Sequence, residues 1–183
     1  MTLASADLRR GALVYGVFPF AAQFPMSYRD DSGTRQMAAS VSSYAAARKG
    51  RSTVVEAPVK LRPVLLLHDG TRGDKDDVVA LRVNSVKPRH RAMTNWARVE
   101  EHEHPFFFHL PKDSRYGLPE ESVIDLNAVT SVHKSTLWRR VGSINAHEMQ
   151  IVNERLRVVL GLDLGPLIAR QARELLKKAG FAL

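Results

Sequence analysis

The chain has 183 residues, with 27 Lys and Arg against 19 Asp and Glu and a formal net charge of +8, which allows one domain, or one domain with a small appendage, and favours an anionic partner: nucleic acid first, an acidic protein segment second. Hydrophobic residues make up 44%, too many for a disordered chain, while the longest uninterrupted apolar runs, such as Val64–Leu67, are too short to span a bilayer. Cysteine is absent, which excludes disulfides, zinc–thiolate centres and cysteine nucleophiles.

The opening MTLASADLRR has no apolar stretch after a basic start, so no secretory signal is expected and a cytoplasmic protein is the default. Residues 11–18 (GALVYGVF) read as a first strand, β-branched and aromatic and closed by Pro19. Residues 21–59 are rich in Ser, Ala and Arg and carry DDSG at 30–33. They read as a long loop insertion with local helix over parts such as Gln36–Arg48, where alanine is frequent. Residues 64–68 (VLLLH) form a short apolar run stopped by Asp69-Gly70, which predicts a buried strand before a turn. Residues 78–83 (VVALRV) predict the next strand, reached through the polar loop TRGDKD.

Overlapping its end is a dense basic cluster, Arg82-Val-Asn-Ser-Val-Lys87-Pro88-Arg89-His90-Arg91, where the proline argues for a loop. Residues 96–99 and 105–110 are candidate strands around the acidic stretch between them, and 116–119 (YGLP) is a turn. Ser122–Asn127 alternates apolar with polar, the period of a half-buried strand, and Val129–Val132 continues it after a kink. Ser135–Arg140 reads as about one helical turn. Asn145 and Glu148 have the spacing of a capping box, followed by Met149, Val152, Leu156 and Val159/Leu160 at helical spacing and stopped by Gly161. A last helix is expected over about 164–180, with Asp163 as its cap and Pro166 in its first turn. Several short strands followed by helices predict a mainly β fold with C-terminal helices, a small antiparallel barrel.

Among chemistry-bearing residues, Lys87, Arg89 and Arg91 suit a nucleic-acid backbone, and His90 among them has a reference pKa near 6.5 that suits proton transfer, the alternative being a solvated histidine in a loop. Tyr15 and Phe18 are expected in the core. Phe20, beside Pro19 at a loop entrance, is the better candidate for stacking on a base, and Trp96 is open to either role. Glu100-Glu101-His102-Glu103-His104, with His109 nearby, has two histidines that would share a side of a strand and a metal, but Pro105 follows at once and no third ligand is fixed. A polar edge or loop is expected there, and no metal or other cofactor.

Three stretches in order resemble the PemK/MazF family of toxin endoribonucleases: Arg10-Gly11-Ala-Leu-Val-Tyr15; Lys60-Leu-Arg62-Pro63-Val-Leu-Leu-Leu67; and Gly117-Leu118 through Ser122–Asn127, Leu137, Val141-Gly142, Met149, Val152 and Leu160-Gly161-Leu162. The resemblance covers residues 9–19 and 60–162. It implies an SH3-like barrel, one domain over 1–183 that dimerises, cutting single-stranded RNA without metal and held inactive by a cognate antitoxin whose acidic or disordered segment lies across the RNA groove. Arg62 matches the family's catalytic Arg, and a guanidinium offers phosphate oxygens a planar fork of donors. The family's Thr at the end of the next strand is replaced by Asn84-Ser85, both able to donate to a phosphate oxygen. Lys60, Phe20, Lys87, Arg89, His90 and Arg91 are the expected RNA contacts, and insertion 21–59 is expected to reshape the groove. The alternatives are a binder of RNA or protein on the same fold and, more remotely, a topoisomerase poison.

Overall fold

A computed structural model describes residues 3–4, 7–19, 25–48, 54–56, 59–69 and 76–162. In chain order the elements are β1 (Ala12–Pro19), β2 (Met26–Arg29), β3 (Arg35–Ala38), α1 (Val41–Arg48), β4 (Val54–Glu56), β5 (Val59–Leu66), β6 (Asp77–Ser85), α2 (Pro88–Arg91), α3 (Trp96–Glu100), β7 (Phe107–Leu110), β8 (Ser122–His133), β9 (Leu137–Ser143) and α4 (Ala146–Val159). Phe20 and the helix expected over 164–180 lie outside the described residues. No helix among the described residues is long and apolar enough to cross a membrane.

Six strands form one antiparallel sheet in the order β7-β8-β6-β5-β1-β9. Register breaks between β1 and β9 and between β6 and β8 add local twist, and the sheet curls into a half-barrel. This is the expected mainly β fold in open form, with β7 and β9 as its edges. One face carries Leu13, Leu65, Leu81, Ile124 and Leu126, over which α4 lays Met149, Val152 and Leu156. The other face carries Val14, Val64, Leu66, Val78, Ala80 and Val132. Both faces being buried explains why these strands read as near-continuous apolar runs rather than alternating ones.

The break in β8 has a definite sense. Leu81 pairs with Val129, yet its neighbour Arg82 pairs with Asp125, so the extra residues of β8 fall between its two paired stretches. The side-chain alternation of β8 therefore inverts across the break. Ile124 and Leu126 face the helix-covered core, whereas Val132, also even-numbered, faces the opposite one.

α4 forms as the sequence predicts. Asn145 Oδ1 accepts from the Glu148 backbone N–H at 2.9 Å, and Glu148 Oε2 accepts from the Asn145 N–H at 2.8 Å, the reciprocal capping box. Gly161 ends the helix with φ +62°. Glu148 is itself buried. Its other oxygen accepts from the Tyr116 hydroxyl at 2.6 Å and from Arg115 Nη2 at 2.8 Å, locking the 3-10 turn Ser114–Tyr116 to the helix start. Burial, and then the Glu148 hydrogen bond, pushes the Tyr116 hydroxyl pKa well up.

Several local expectations are corrected. The 21–59 stretch is not simply loop with helix, because β2, β3 and β4 form a separate three-stranded sheet in the order β3-β2-β4. Tyr28 and Met26 pack there with Ala38, and the Tyr28 ring meets Tyr44 of α1 edge-on at 5.2 Å. Among the described residues of this stretch helix is confined to α1, and residues 35–38 pair as a strand. Residues 96–99 form helix α3, not a strand: Trp96 and Val99, three apart and so on one helix face, bury together against Val123. The basic cluster contains the short helix α2, with Pro88 at its first turn. After the 3-10 turn Lys134–Thr136, residues 137–143 are strand β9, not the expected helical turn.

Residues 101–104 form the expected polar loop, with Glu100, Glu101 and Glu103 exposed, but its two histidines turn inward. His104 is buried and its ring lies 5.2 Å from that of Phe107, while His102, at φ 56°, stacks on Phe108 at 4.1 Å. Burial lowers the His102 pKa, His109 adds to this, Glu148 opposes it, and Arg155 and Arg115 add again. Burial likewise lowers that of His104, with Arg98 and Arg155 adding. Unfolded histidine titrates near pH 6.5, so between that pH and the lower folded values the unfolded chain binds more protons than the native one. The stability contribution is present above pH 6.5 and is lost as the pH falls toward the folded values. A melting temperature that holds near pH 7.5 and falls steadily from pH 6.5 to 5 is the expected result; a flat calorimetric profile over that range would contradict it.

Candidate functional site

The site is set by where two strands part. β5 and β6 pair only through Val64–Leu66 with Ala80–Arg82. The earlier half of β5 continues on β1 alone, and the end of β6 continues on β8. Carrying the β5–β6 register past the last pair sets Arg62 opposite Asn84. There a side-chain bond replaces the backbone ladder: Arg62 Nη1 donates to Asn84 Oδ1 at 3.1 Å. Pro63, which has no N–H for a ladder, stands at this parting.

A cleft of about 490 Å³ opens beside this pair. Lys60 and Arg62 of β5 line it, with Arg82, Asn84 and Ser85 of β6; Lys87, Arg89 and His90 form a wall, and Phe107, Val123 and Asp125 complete it. A smaller recess of about 160 Å³, lined by Tyr15, Pro63, Leu118 and Pro119, shares Lys60, Arg62, Asn84 and Ser85 with it. The Arg62–Asn84 pair thus stands between two connected hollows. In the larger one, five cationic side chains, Lys60, Arg62, Arg82, Lys87 and Arg89, face a single carboxylate, Asp125. Such a concave surface of one sign concentrates anions.

The cross-strand pairing lays these side chains out as a grid. Phe107 pairs with Asp125 and Asp125 with Arg82. One row along, His109 pairs with Val123 and Val123 with Asn84. The register break in β8 is what sets Asp125, rather than Ala128, opposite Arg82. Asp125 Oδ2 accepts from Arg82 Nη2 at 3.3 Å.

Of the residues singled out from sequence, Arg62, Asn84, Ser85, Lys60, Lys87, Arg89 and His90 meet in this cleft. Arg91 turns instead to Glu121, which also holds His109 Nε2 at 2.8 Å, and is not among the residues that line it. Phe20 lies outside the described residues. Tyr15 is half-buried at the smaller recess, and Phe18 packs at the margin of the second core. Phe107 and Asp125 were not singled out, and Arg82 was read only as the first residue of the basic cluster, not as a site residue. The signal for two of them was present, since Arg82 and Asp125 are lone charges inside apolar strands VVALRV and SVIDLN.

His90 is held in one tautomer. Its Nδ1 accepts the backbone N–H of Lys87 at 3.1 Å, so in the neutral ring the hydrogen is on Nε2. Burial lowers its pKa, with Arg89 and Lys87 adding. A ring so held offers a hydrogen bond from Nε2 and does not take up a proton there. Long-range 1H–15N spectra are expected to show the Nε2–H tautomer from pH 7.5 down to 6.5; a midpoint at or above 6.5 would contradict this.

A family model described as the PemK-like, MazF-like toxin of type II toxin–antitoxin systems matches residues 48–160. It therefore covers β4 through α4 and does not extend to the Arg10–Tyr15 stretch. Among solved structures, the chain is similar to toxin MazF-mt6 of Mycobacterium tuberculosis, at 19% identity over 57% of this chain and 90% of that one, with a TM-score of 0.43. It is also similar to MazF of Deinococcus radiodurans, at 17% identity over 84% and 96% of the two chains and a TM-score of 0.49. A third is a mycobacterial endoribonuclease in complex with its cognate antitoxin, at 19% identity over 78% and 98% and a TM-score of 0.41. No curated protein matches the chain.

Proposed function

Because the chain belongs to the family of PemK-like, MazF-like toxins of type II toxin–antitoxin systems, we propose that it is an endoribonuclease that cuts single-stranded RNA in the cationic cleft without a metal ion. The observation that carries this reading is the Arg62 guanidinium, fixed by Asn84 at the rim of a cleft with five cations to one carboxylate. In the proposed reaction the ribose 2′-oxygen attacks the adjacent phosphorus and the P–O5′ bond breaks. The products are a 2′,3′-cyclic phosphate and a 5′-hydroxyl; the proton lost by the 2′-oxygen equals that gained by the 5′-oxygen. The barrier lies in the extra negative charge on the pentacoordinate phosphorus. A planar cation already held in place meets that charge with little reorganisation.

Asn84 serves as a positioning residue, because its amide oxygen takes one of the five guanidinium donors and sets the plane of the fork. Ser85, the last residue of β6 and a lining residue of both hollows, supplies a hydroxyl to a phosphate oxygen. Lys60, Lys87 and Arg89 track the backbone on either side. The same charge suits an antitoxin segment rich in Asp and Glu, which would compete with RNA for the cleft, and a homodimer is the proposed assembly.

The test is incubation of the purified chain with mixed RNA in EDTA, followed by mapping of the ends at nucleotide resolution. Reproducible cuts bearing cyclic phosphates are expected. Retention of RNA without cuts would favour the second reading, a binder on the same fold, which the Asn84-Ser85 pair in place of a Thr motivates.

A further inference from the structure

We propose that the larger cleft holds a guanine base, with Phe107 stacked on its face and the Asp125 carboxylate taking the two donors of its Watson–Crick edge. The inference rests on the reading of this cleft as an RNA site, and names the base it selects.

Phe107 is half-buried and lines the cleft. Its ring has two others near it, His104 at 5.2 Å and His90 at 6.4 Å, both tilted by about thirty degrees. A ring fixed by neighbours loses little freedom on binding, which is what a stacking platform needs. Asp125 is its direct cross-strand partner, so the two side chains leave the same face about 5 Å apart. Val123, one row along on that face, gives the hollow an apolar side.

The carboxylate is held by two fixed donors. Oδ2 accepts from Arg82 Nη2 at 3.3 Å and Oδ1 from the Asn127 backbone N–H at 3.1 Å. Each oxygen has two lone pairs, so each keeps capacity for one more bond, side by side. Only 17% of the Asp125 side chain is exposed, so an acceptor placed against it would leave a sheltered charge facing another lone pair. The bases then separate by chemistry. Guanine presents adjacent donors, N1–H and N2–H2. Adenine and cytosine present a donor beside an acceptor, and uracil a single N–H between two acceptors. In the same lining the Nε2–H of His90 and the Lys87 ammonium are donors, suited to the O6 and N7 acceptors of guanine. A pocket that offers two adjacent carboxylate acceptors together with these donors is the complement of guanine among the four bases.

The test uses the full chain and 2′-O-methyl heptauridylates whose central base is uracil, guanine, adenine or cytosine. Methylation removes the attacking hydroxyl, so binding is read without cleavage, and a single-stranded ligand can slide to seat its odd base. Wild type is expected to bind the guanine oligonucleotide about tenfold more tightly than the other three. Asp125→Asn, whose amide pairs an acceptor with a donor, is expected to abolish that preference, and Phe107→Ala to weaken all four. Equal wild-type affinity for the four, or an Asp125→Asn variant that still prefers guanine, overturns the proposal; should that variant not fold, the wild-type comparison decides. Cleavage of unmodified RNA is scored separately. A chain that prefers guanine but cuts nothing refutes the nuclease and leaves the pocket, whereas cutting without guanine preference does the reverse.

Discussion

Replacing Arg62 by alanine is expected to slow cleavage of single-stranded RNA in EDTA by about a thousandfold, because a preorganised donor to a developing oxyanion is worth roughly 10²–10³ in rate, or about 3–4 kcal/mol. The loss should appear in kcat more than in KM, since Lys60, Arg82, Lys87 and Arg89 remain to hold the RNA. Lysine at 62 keeps the charge but not the planar fork or the bond geometry to Asn84, so Arg62→Lys should recover only part of the rate. Asn84→Ala tests positioning separately: with the guanidinium intact but its plane no longer set, kcat should fall less than in Arg62→Ala. The melting temperature of Arg62→Ala should stay close to wild type, because its side chain is only half-buried at the strand parting. Unchanged cleavage by this variant would remove Arg62 from the reaction.

The largest loss of stability is expected from alanine at Gly142 or Gly117. The 3-10 turn Ser114–Tyr116 lies directly against β9, backbone to backbone. A Cβ on Gly142 would sit on the carbonyl groups of Arg115 and Tyr116, and one on Gly117 would sit on the carbonyl of Val141. These are backbone atoms on both sides, so no rotamer change relieves the clash. Gly117 also has φ +61°, in the left-handed region. Either substitution must push the turn off β9, and with it Tyr116 and Arg115, which hold the start of α4 through Glu148. A cost above about 4 kcal/mol follows, in the range of backbone collisions rather than of ordinary substitutions. In a chain of this size it would lower the melting temperature by roughly 8–16 °C. Gly33→Ala is the contrast: φ is also positive, at +81°, but nothing lies within 4 Å of the added carbon, so only local backbone strain of about 1 kcal/mol is expected. Similar melts for Gly142→Ala and wild type would mean that the turn can yield.

The physics that made some features legible also explains the gaps. β1, β5 and β6 were visible because strands buried on both faces must be apolar throughout, and α4 because its cap, stripe and terminal glycine agree. Arg62 was legible through its neighbour Pro63 and a resemblance, yet its partner was not, since the Asn84 contact depends on where the β5–β6 ladder stops. The segment WARVE has the length and composition of a short strand. Burial of Trp96 and Val99 on Val123 makes it helical, and no local pattern encodes that. The strands of the small second sheet span only three or four residues each, too few for a period to register. Asp125 and Phe107 were missed because their meeting with Arg82 depends on a register break, which alternation alone cannot date to a residue.

The inverted alternation of β8 has a bearing on assembly of the sheet itself. A regular strand can be nudged past its neighbour by two positions with its oily and wet sides still matched, and misaligned pairs can then ripen by sliding. β8 has no such neighbouring solution. Sliding it one position drives Asp125 into the oil, and sliding it two leaves its notch against intact ladder on β6. Like a key with one cut, the strand fits β6 at a single depth, and the same cut that aims a carboxylate into the cleft guards the molecule against its own misalignment.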